Sequence, residues 1–178
     1  NILSLWGLMQ TVQDALSSTS PLAAFDVYIS RYMVDLVHRV GPILTKVATW
    51  VTNMGDKIPV TIVSVALCLY FALKKKWRRT AIMLLSMGST AFGVTLMKEF
   101  FLRPRPDNAL ISLTDPSFPS GHAAYTTALV LVIAYLAIPH IRSWVKRELF
   151  LVLCVLFIAA VGLSRVVLNV HWSSDVIA

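Results

Sequence analysis

Leu149 to Asp175 reads LFLVLCVLFIAAVGLSRVVLNVHWSSD. Its first fifteen residues, Leu149–Leu163, are apolar or small and carry no charge. That is the short end of what a bilayer crossing requires, and flanking Lys, Arg and Trp extend such a span by snorkelling and interfacial anchoring. The run then presents Arg165, His171 and Asp175 in quick succession. On a helix the four-residue spacing of His171 and Asp175 puts them one turn apart on one face, where a carboxylate can hold an imidazole. A histidine held by one nitrogen keeps the other as a base or nucleophile. Arg165 adds a positive fork suited to phosphate or carboxylate. The plainer reading, interfacial residues capping a membrane helix, stays open on this stretch alone.

Three more stretches resemble Leu149–Leu163: Ile58–Leu73, Ala81–Met97 and Ala123–Ile138. With 57% hydrophobic residues, 14% charged residues and a mean hydropathy of +0.71, the chain is too apolar for an ordinary soluble domain. The formal charge of +7 would suggest nucleic acid in a soluble protein, but the positives cluster between apolar runs, so the membrane surface is the partner expected and nucleic acid is not. Leu22–Val40 carries Asp26, Arg31, Asp35, His38 and Arg39 and reads as an amphipathic helix lying in the interface. Gly41-Pro42 ends it, Ile43–Met54 reads as a second short amphipathic piece, and Gly55-Asp56 as a turn. Ile2–Leu16 reads as the end of a first span and Val176 as the start of a last one. Cys68 and Cys154 lie inside apolar runs and read as small hydrophobes.

The expected fold is therefore all-α: a polytopic transmembrane bundle of six spans with interfacial amphipathic helices near the N-terminus. It forms a single domain over residues 1–178. Residues 1–41 hold a partial first span and an amphipathic segment, and 42–178 the core of the domain with its last span truncated. Basic loops at 74–79 and 142–147 place those turns in the cytoplasm. The polar stretches 98–119 and 164–175 then share the outer face, on an expected bacterial inner membrane with the site facing the periplasm or cell exterior.

Those two outer stretches hold nearly all the suggestive chemistry. Lys98, Arg103 and Arg105, three cations within eight residues at a membrane exit, make an anion site stiffened by Pro104 and Pro106. Phe118-Pro119-Ser120-Gly121-His122 stands directly before an apolar helix. Ser120 is a natural N-cap, Gly121 lets backbone approach a ligand, and free N–H groups at the helix start suit a phosphate oxygen. His122 sits in that first turn, placed to give up a proton.

Taken together, Lys98-x6-Arg105-Pro106, Pro119-Ser120-Gly121-His122 and Ser164-Arg165-x5-His171-x3-Asp175 resemble the tripartite signature of the type 2 phosphatidic-acid phosphatase superfamily, eleven positions in order and at the family's spacings. The resemblance runs from about Ile58 to the last residue, and nothing before Pro42 adds to it. It implies a lipid phosphatase in which His171 attacks phosphorus to give a phosphohistidine, Asp175 orients His171, and His122 protonates the leaving oxygen. Lys98, Arg105 and Arg165 would clamp the phosphate oxygens, helped by Ser120 and the Gly121 N–H. The implied chemistry needs no metal or other cofactor. Arg103 competes with Arg105 for the clamp, and only the family spacing favours Arg105. Undecaprenyl diphosphate, phosphatidylglycerol phosphate, phosphatidic acid and the phosphate of lipid A are the implied substrates. Vanadium haloperoxidases and class A acid phosphatases share these residues, but they are soluble, which the apolar spans disfavour. A non-catalytic protein that binds or transports anionic lipid headgroups explains the cations, yet gives no reason for two histidines and an aspartate at this spacing.

Overall fold

Capping residues and prolines set the helix starts. In the computed structural model, which describes residues 12–14, 17, 20–111 and 113–177, Ser20 accepts from the Ala23 N–H and Pro21 follows it, opening α1 (Pro21–Val40). Gly41, at φ +81°, turns the chain into α2 (Pro42–Met54). Asp56 caps α3 (Lys57–Leu73), and α4 (Trp77–Phe101) ends at Leu102 in the left-handed region. Ser120 caps α5 (Gly121–Ala137), a short 3-10 turn follows, and Ser143 caps α6 (Trp144–Val167). The single-turn helix α7 spans Ser173–Ile177.

Four helical runs among the described residues are long and apolar enough to cross a membrane. One is Pro42–Leu73, in which α2 and α3 follow each other through Gly55-Asp56, so Ile43–Met54 belongs to a spanning-length run as well as forming its own helix. The others are α4, α5 with its 3-10 extension, and α6. Helices α4 and α6 outrun their uncharged stretches by several residues at each end, because Trp, Lys and Arg are adequate helix formers there. The 25 residues of α4 give a rod of roughly 37 Å, enough for a hydrocarbon core of about 30 Å. Ile62, Leu69, Leu85, Phe92, Leu131 and Val155 point outward and are exposed along these helices. A continuous apolar exterior of that kind belongs against lipid. Ile2–Leu16, expected as a first span, lies almost wholly outside the described residues.

Helix α5 packs against α3, α4 and α6, and α6 also against α1, α2 and α7. Val60, Met83, Leu129 and Val132 fill the space between α3, α4 and α5. A second apolar cluster, Ala48, Val167, Leu168 and Val170, sits at the C-terminal end of α6 under Met33 and Val37 of α1. Beside it the interior turns polar: Asp26, Thr52, Arg103, Ser120, Arg165, Asn169, His171 and Asp175 are all buried there. Asn169, itself at φ +53°, ties α1 to the loop after α4 by accepting from Ser30 Oγ at 2.8 Å and donating to the Asn108 carbonyl at 3.2 Å.

Gly55 is where the α2–α3 junction meets this end of the bundle. A Cβ there would stand 2.5 Å from Val161 Cγ1 and 2.7 Å from Thr126 Oγ1. Gly55→Ala therefore overpacks the junction and costs about 1–3 kcal/mol. In detergent its thermal unfolding midpoint falls by several degrees, while that of Gly93→Ala, where nothing lies within 4 Å, does not fall. Equal midpoints for the two variants would contradict this packing.

Candidate active site

Arg165 is carried on the last turn of α6, after which the helix yields to a loop at Leu168–Trp172 and restarts as α7. His171 is thus in the loop and Asp175 in the first turn of α7, so the pair does not share one continuous helix face. The contact forms nonetheless. Asp175 Oδ2 accepts the Trp172 N–H at 2.9 Å and lies 3.5 Å from His171 Nδ1. That separation is an ion-pair distance, longer than a good hydrogen bond. On the far side of the ring, Arg105 Nη1 is 3.2 Å from His171 Nε2. A guanidinium can only donate, which assigns the Nε2 lone pair toward Arg105 and the proton to Nδ1, toward Asp175. Burial pushes the His171 pKa below its usual value; Asp175 opposes the shift, and Arg105 and Arg165 add to it. At pH 7 the imidazole is neutral, with Nε2 unprotonated.

Lys98, on the last turn of α4, and Arg105, two residues past Arg103 in the following loop, meet at one carboxylate. Lys98 Nζ donates to Asp115 Oδ2 and Arg105 Nη2 to Asp115 Oδ1, each at 2.8 Å. Lys98 also donates to the Pro116 carbonyl, and Arg105 Nε to the Asp115 carbonyl at 2.8 Å. These cations hold the half-exposed Asp115 carboxyl down to about 2 despite its partial desolvation, so it is ionised at any physiological pH. An incoming anion must compete with Asp115 for both cations.

Arg165 is met differently. Its Nη1 donates to Thr52 Oγ1 of α2 at 2.9 Å, while its buried Nε has no hydrogen-bond partner among the described residues. A buried charged donor without an acceptor is costly, and this one belongs to a side chain lining the cavity.

At the start of α5, Ser120 accepts from the Ala123 N–H and its own N–H donates to the Asp175 carbonyl at 2.9 Å, joining two of the sequence blocks. His122 Nε2 lies 3.6 Å from Asp56 Oδ1.

Lys98, Arg105, Gly121, His122, Arg165 and His171 converge on one cavity of about 440 Å³. Asp175 stands behind His171, and the Ser120 side chain faces a neighbouring apolar cleft, its hydroxyl used in the cap. Ser164 donates within its own helix to the Val161 carbonyl. Arg103, the rival to Arg105, does not line this cavity. Its fork turns away, onto Asp26 and Asp175.

Asp115, Asp56, Thr52 and Asp26 were not singled out from the sequence as parts of a site. Asp115 sits in the loop between the first two motif blocks, where a carboxylate close to a cation cluster is a usable signal, whereas Asp56 stands in the turn before α3, far from the motifs in sequence. Thr52 and Asp26 lie on helices far from the motifs in sequence, with no local mark.

A bundle of membrane-length helices closing over a cationic cavity with two histidines defines a membrane-spanning phosphatase. The chain belongs to the PAP2 superfamily, whose family model matches residues 79–178. It is 31% identical over 141 residues to phosphatidylglycerophosphatase B of Bacillus subtilis, covering 76% of this chain and 68% of that protein. It is 35% identical over 86 residues to decaprenylphosphoryl-5-phosphoribose phosphatase of Mycobacterium tuberculosis, covering 46% of this chain and 42% of that protein. The crystal structure of a transmembrane PAP2-type phosphatidylglycerolphosphate phosphatase from Bacillus subtilis superposes with a TM-score of 0.82 at 29% identity, covering 98% of this chain and 86% of that one.

Proposed function

We propose that this chain, as one domain, hydrolyses a lipid phosphate or diphosphate through a phosphohistidine at His171, with the lipid tail in the bilayer and the headgroup in the 440 Å³ cavity. The observation that carries the reading is the lining of that cavity: Lys98, Arg105 and Arg165, the last with a buried N–H that has no partner among the described residues, around a neutral histidine whose unprotonated Nε2 meets Arg105. Phosphoryl transfer asks a protein mainly for positioning and charge stabilisation, and this lining offers both.

His171 Nε2 attacks phosphorus, an N–P bond forms and the P–O bond to the lipid breaks. His122 gives its proton to the departing oxygen. Water then attacks the phosphohistidine, returns a proton to His122, and the N–P bond breaks to release inorganic phosphate. Lys98, Arg105 and Arg165 hold the non-bridging oxygens, with the Gly121 N–H and the Ser120-capped helix start alongside. Asp175 supports the imidazole from Nδ1. Phosphatidylglycerol phosphate is the first substrate to try, because the relative matched over most of both chains and the superposed crystal structure carry that activity in their names. Undecaprenyl diphosphate and phosphatidic acid follow.

The membrane arrangement belongs to the same proposal: six spans in the whole protein, α1 in the interface, and the cavity on the periplasmic or outer side of a bacterial inner membrane. The basic loop at 74–79 supports this sidedness. With Cys68 and Cys154 replaced, cysteines introduced at Lys75 and at Asn108 react with an impermeant thiol reagent from opposite sides. Labelling from one side would overturn the topology.

The chemistry is tested by changing the leaving group, in detergent and with chelator present. His171→Ala stops phosphate release from every substrate. His122→Ala loses about 100-fold or more on a lipid ester, which needs a proton on departure, and far less on an activated aryl phosphate, whose phenolate leaves unaided. Equal losses on both substrates would make His122 a phosphate ligand only. Near-native turnover by His171→Ala would end the proposal.

A further inference from the structure

Behind His171 lies a second layer of buried charge that does not touch the cavity. Arg103 Nη2 pairs with Asp26 Oδ2 at 2.8 Å, and Arg103 Nη1 donates to Asp175 Oδ1 and, at 2.8 Å, to Ser174 Oγ. Asp26 is held in turn by the Ser173 hydroxyl at 2.5 Å, the Ser174 N–H at 2.9 Å and the Ser174 hydroxyl. Asp26 is 1% exposed, Asp175 2% and Arg103 7%. One guanidinium thus bridges two buried carboxylates, and the Trp172 ring lies 5.6 Å from its Cζ. These donors keep the Asp26 carboxyl below its ordinary range against a large desolvation effect, so Asp26 is ionised at pH 7.

The fork geometry gives this bridge a direction. Asp175 uses Oδ1 for Arg103, which leaves Oδ2 for the Trp172 N–H and for His171 Nδ1. Asp26 fixes the other arm of the fork and, through Ser173 and Ser174, the first turn of α7 that carries Asp175. Anchored from α1, the guanidinium holds Asp175 by Oδ1. We infer that Asp26 and Arg103 are positioning residues that set the orientation and basicity of His171 through Asp175, from outside the cavity. This role rests on the phosphohistidine reading for its effect on turnover, but its effect on the His171 proton is independent of that reading.

The groups facing His171 are Asp175 at Nδ1 and Arg105 at Nε2, with Lys57, Lys98, His122, Tyr125 and Arg165 around the same cavity and Asp56 and Asp115 at its edge. Asp26 and Arg103 act on His171 with opposite sign. Asp26→Asn removes a negative charge and leaves Arg103 wholly to Asp175, so the imidazolium is less favoured. The double variant Asp26→Asn with Arg103→Gln takes away the nearer charge, the cation on Asp175, so the imidazolium is more favoured.

Imidazole NMR titration of the full chain in detergent micelles reads this directly, with His171 assigned from the spectrum of His171→Asn. In Asp26→Asn the His171 pKa moves down by about half a unit, and in the double variant it moves up by about one unit. If the protein hydrolyses lipid phosphates, kcat per folded molecule falls about 10-fold in each, KM changes less than about 3-fold, and the acid limb of the rate profile follows the titration. Should Asp26→Asn accumulate unfolded, the double variant, which leaves neither partner of the Asp26–Arg103 pair charged and alone, carries the test by its upward shift. A lowered yield or unfolding midpoint with an unmoved titration, or shifts of the same sign in both variants, would reduce Asp26 and Arg103 to structural supports. If the wild type releases no phosphate from any lipid, the functional reading fails while the two titrations still decide this inference.

Discussion

Positive charge buried at one end of an apolar bundle has to be met by something anionic, and much of the polar architecture follows from that demand. Lys57, Lys98, Arg105 and Arg165 line one small cavity together with His122 and His171. Left unpaired in so dry a setting, like charges repel and desolvation is uncompensated. The fold answers with carboxylates: Asp115 across Lys98 and Arg105, Asp56 beside His122, and Asp175 behind His171. Among the described residues Arg165 meets the neutral Thr52 hydroxyl and keeps a buried N–H without a partner. A site balanced in this way holds surplus positive potential aimed inward, which is what a multiply charged phosphate group requires.

The helices that build this end were largely legible. Each of the four apolar stretches became part of a membrane-length helix, because an uninterrupted apolar run has no other way to satisfy its backbone in lipid. Pro21, Gly41-Pro42 and Ser120 fell at element boundaries, because their capping and φ preferences act locally. The motif residues could be found because the chemistry fixes residue type and spacing together. Helix periodicity was a poorer guide: the spacing of His171 and Asp175 suggested one helix face, whereas the chain breaks at Asn169 and restarts at Ser173. Their contact is made by the Trp172 N–H and the turn, not by 3.6-residue geometry.

What the sequence hid is the layer that long-range packing assembles. Asp26 and Asp175 are 149 positions apart and meet through one guanidinium. Thr52 reaches Arg165 across 113 positions. Nothing in the residues around Asp26 separates it from an ordinary polar residue of an amphipathic helix. The choice between Arg103 and Arg105 was hidden in the same way. Arg103 and Arg105 stand two positions apart around Pro104, and which of them enters the cavity is decided by long-range partners: Asp26 and Asp175 take Arg103, while Asp115 and His171 meet Arg105.

The central claim is that His171 becomes covalently phosphorylated, and trapping that adduct tests it most directly. The wild-type protein is mixed with a lipid phosphate labelled on phosphorus, quenched in base within milliseconds to seconds, and mapped by peptide mass spectrometry. The account predicts a base-stable, acid-labile phosphate on the peptide holding His171, formed and discharged at rates that match turnover and missing in His171→Ala. Sustained phosphate release with no adduct on His171, or with the label on another side chain, would contradict it.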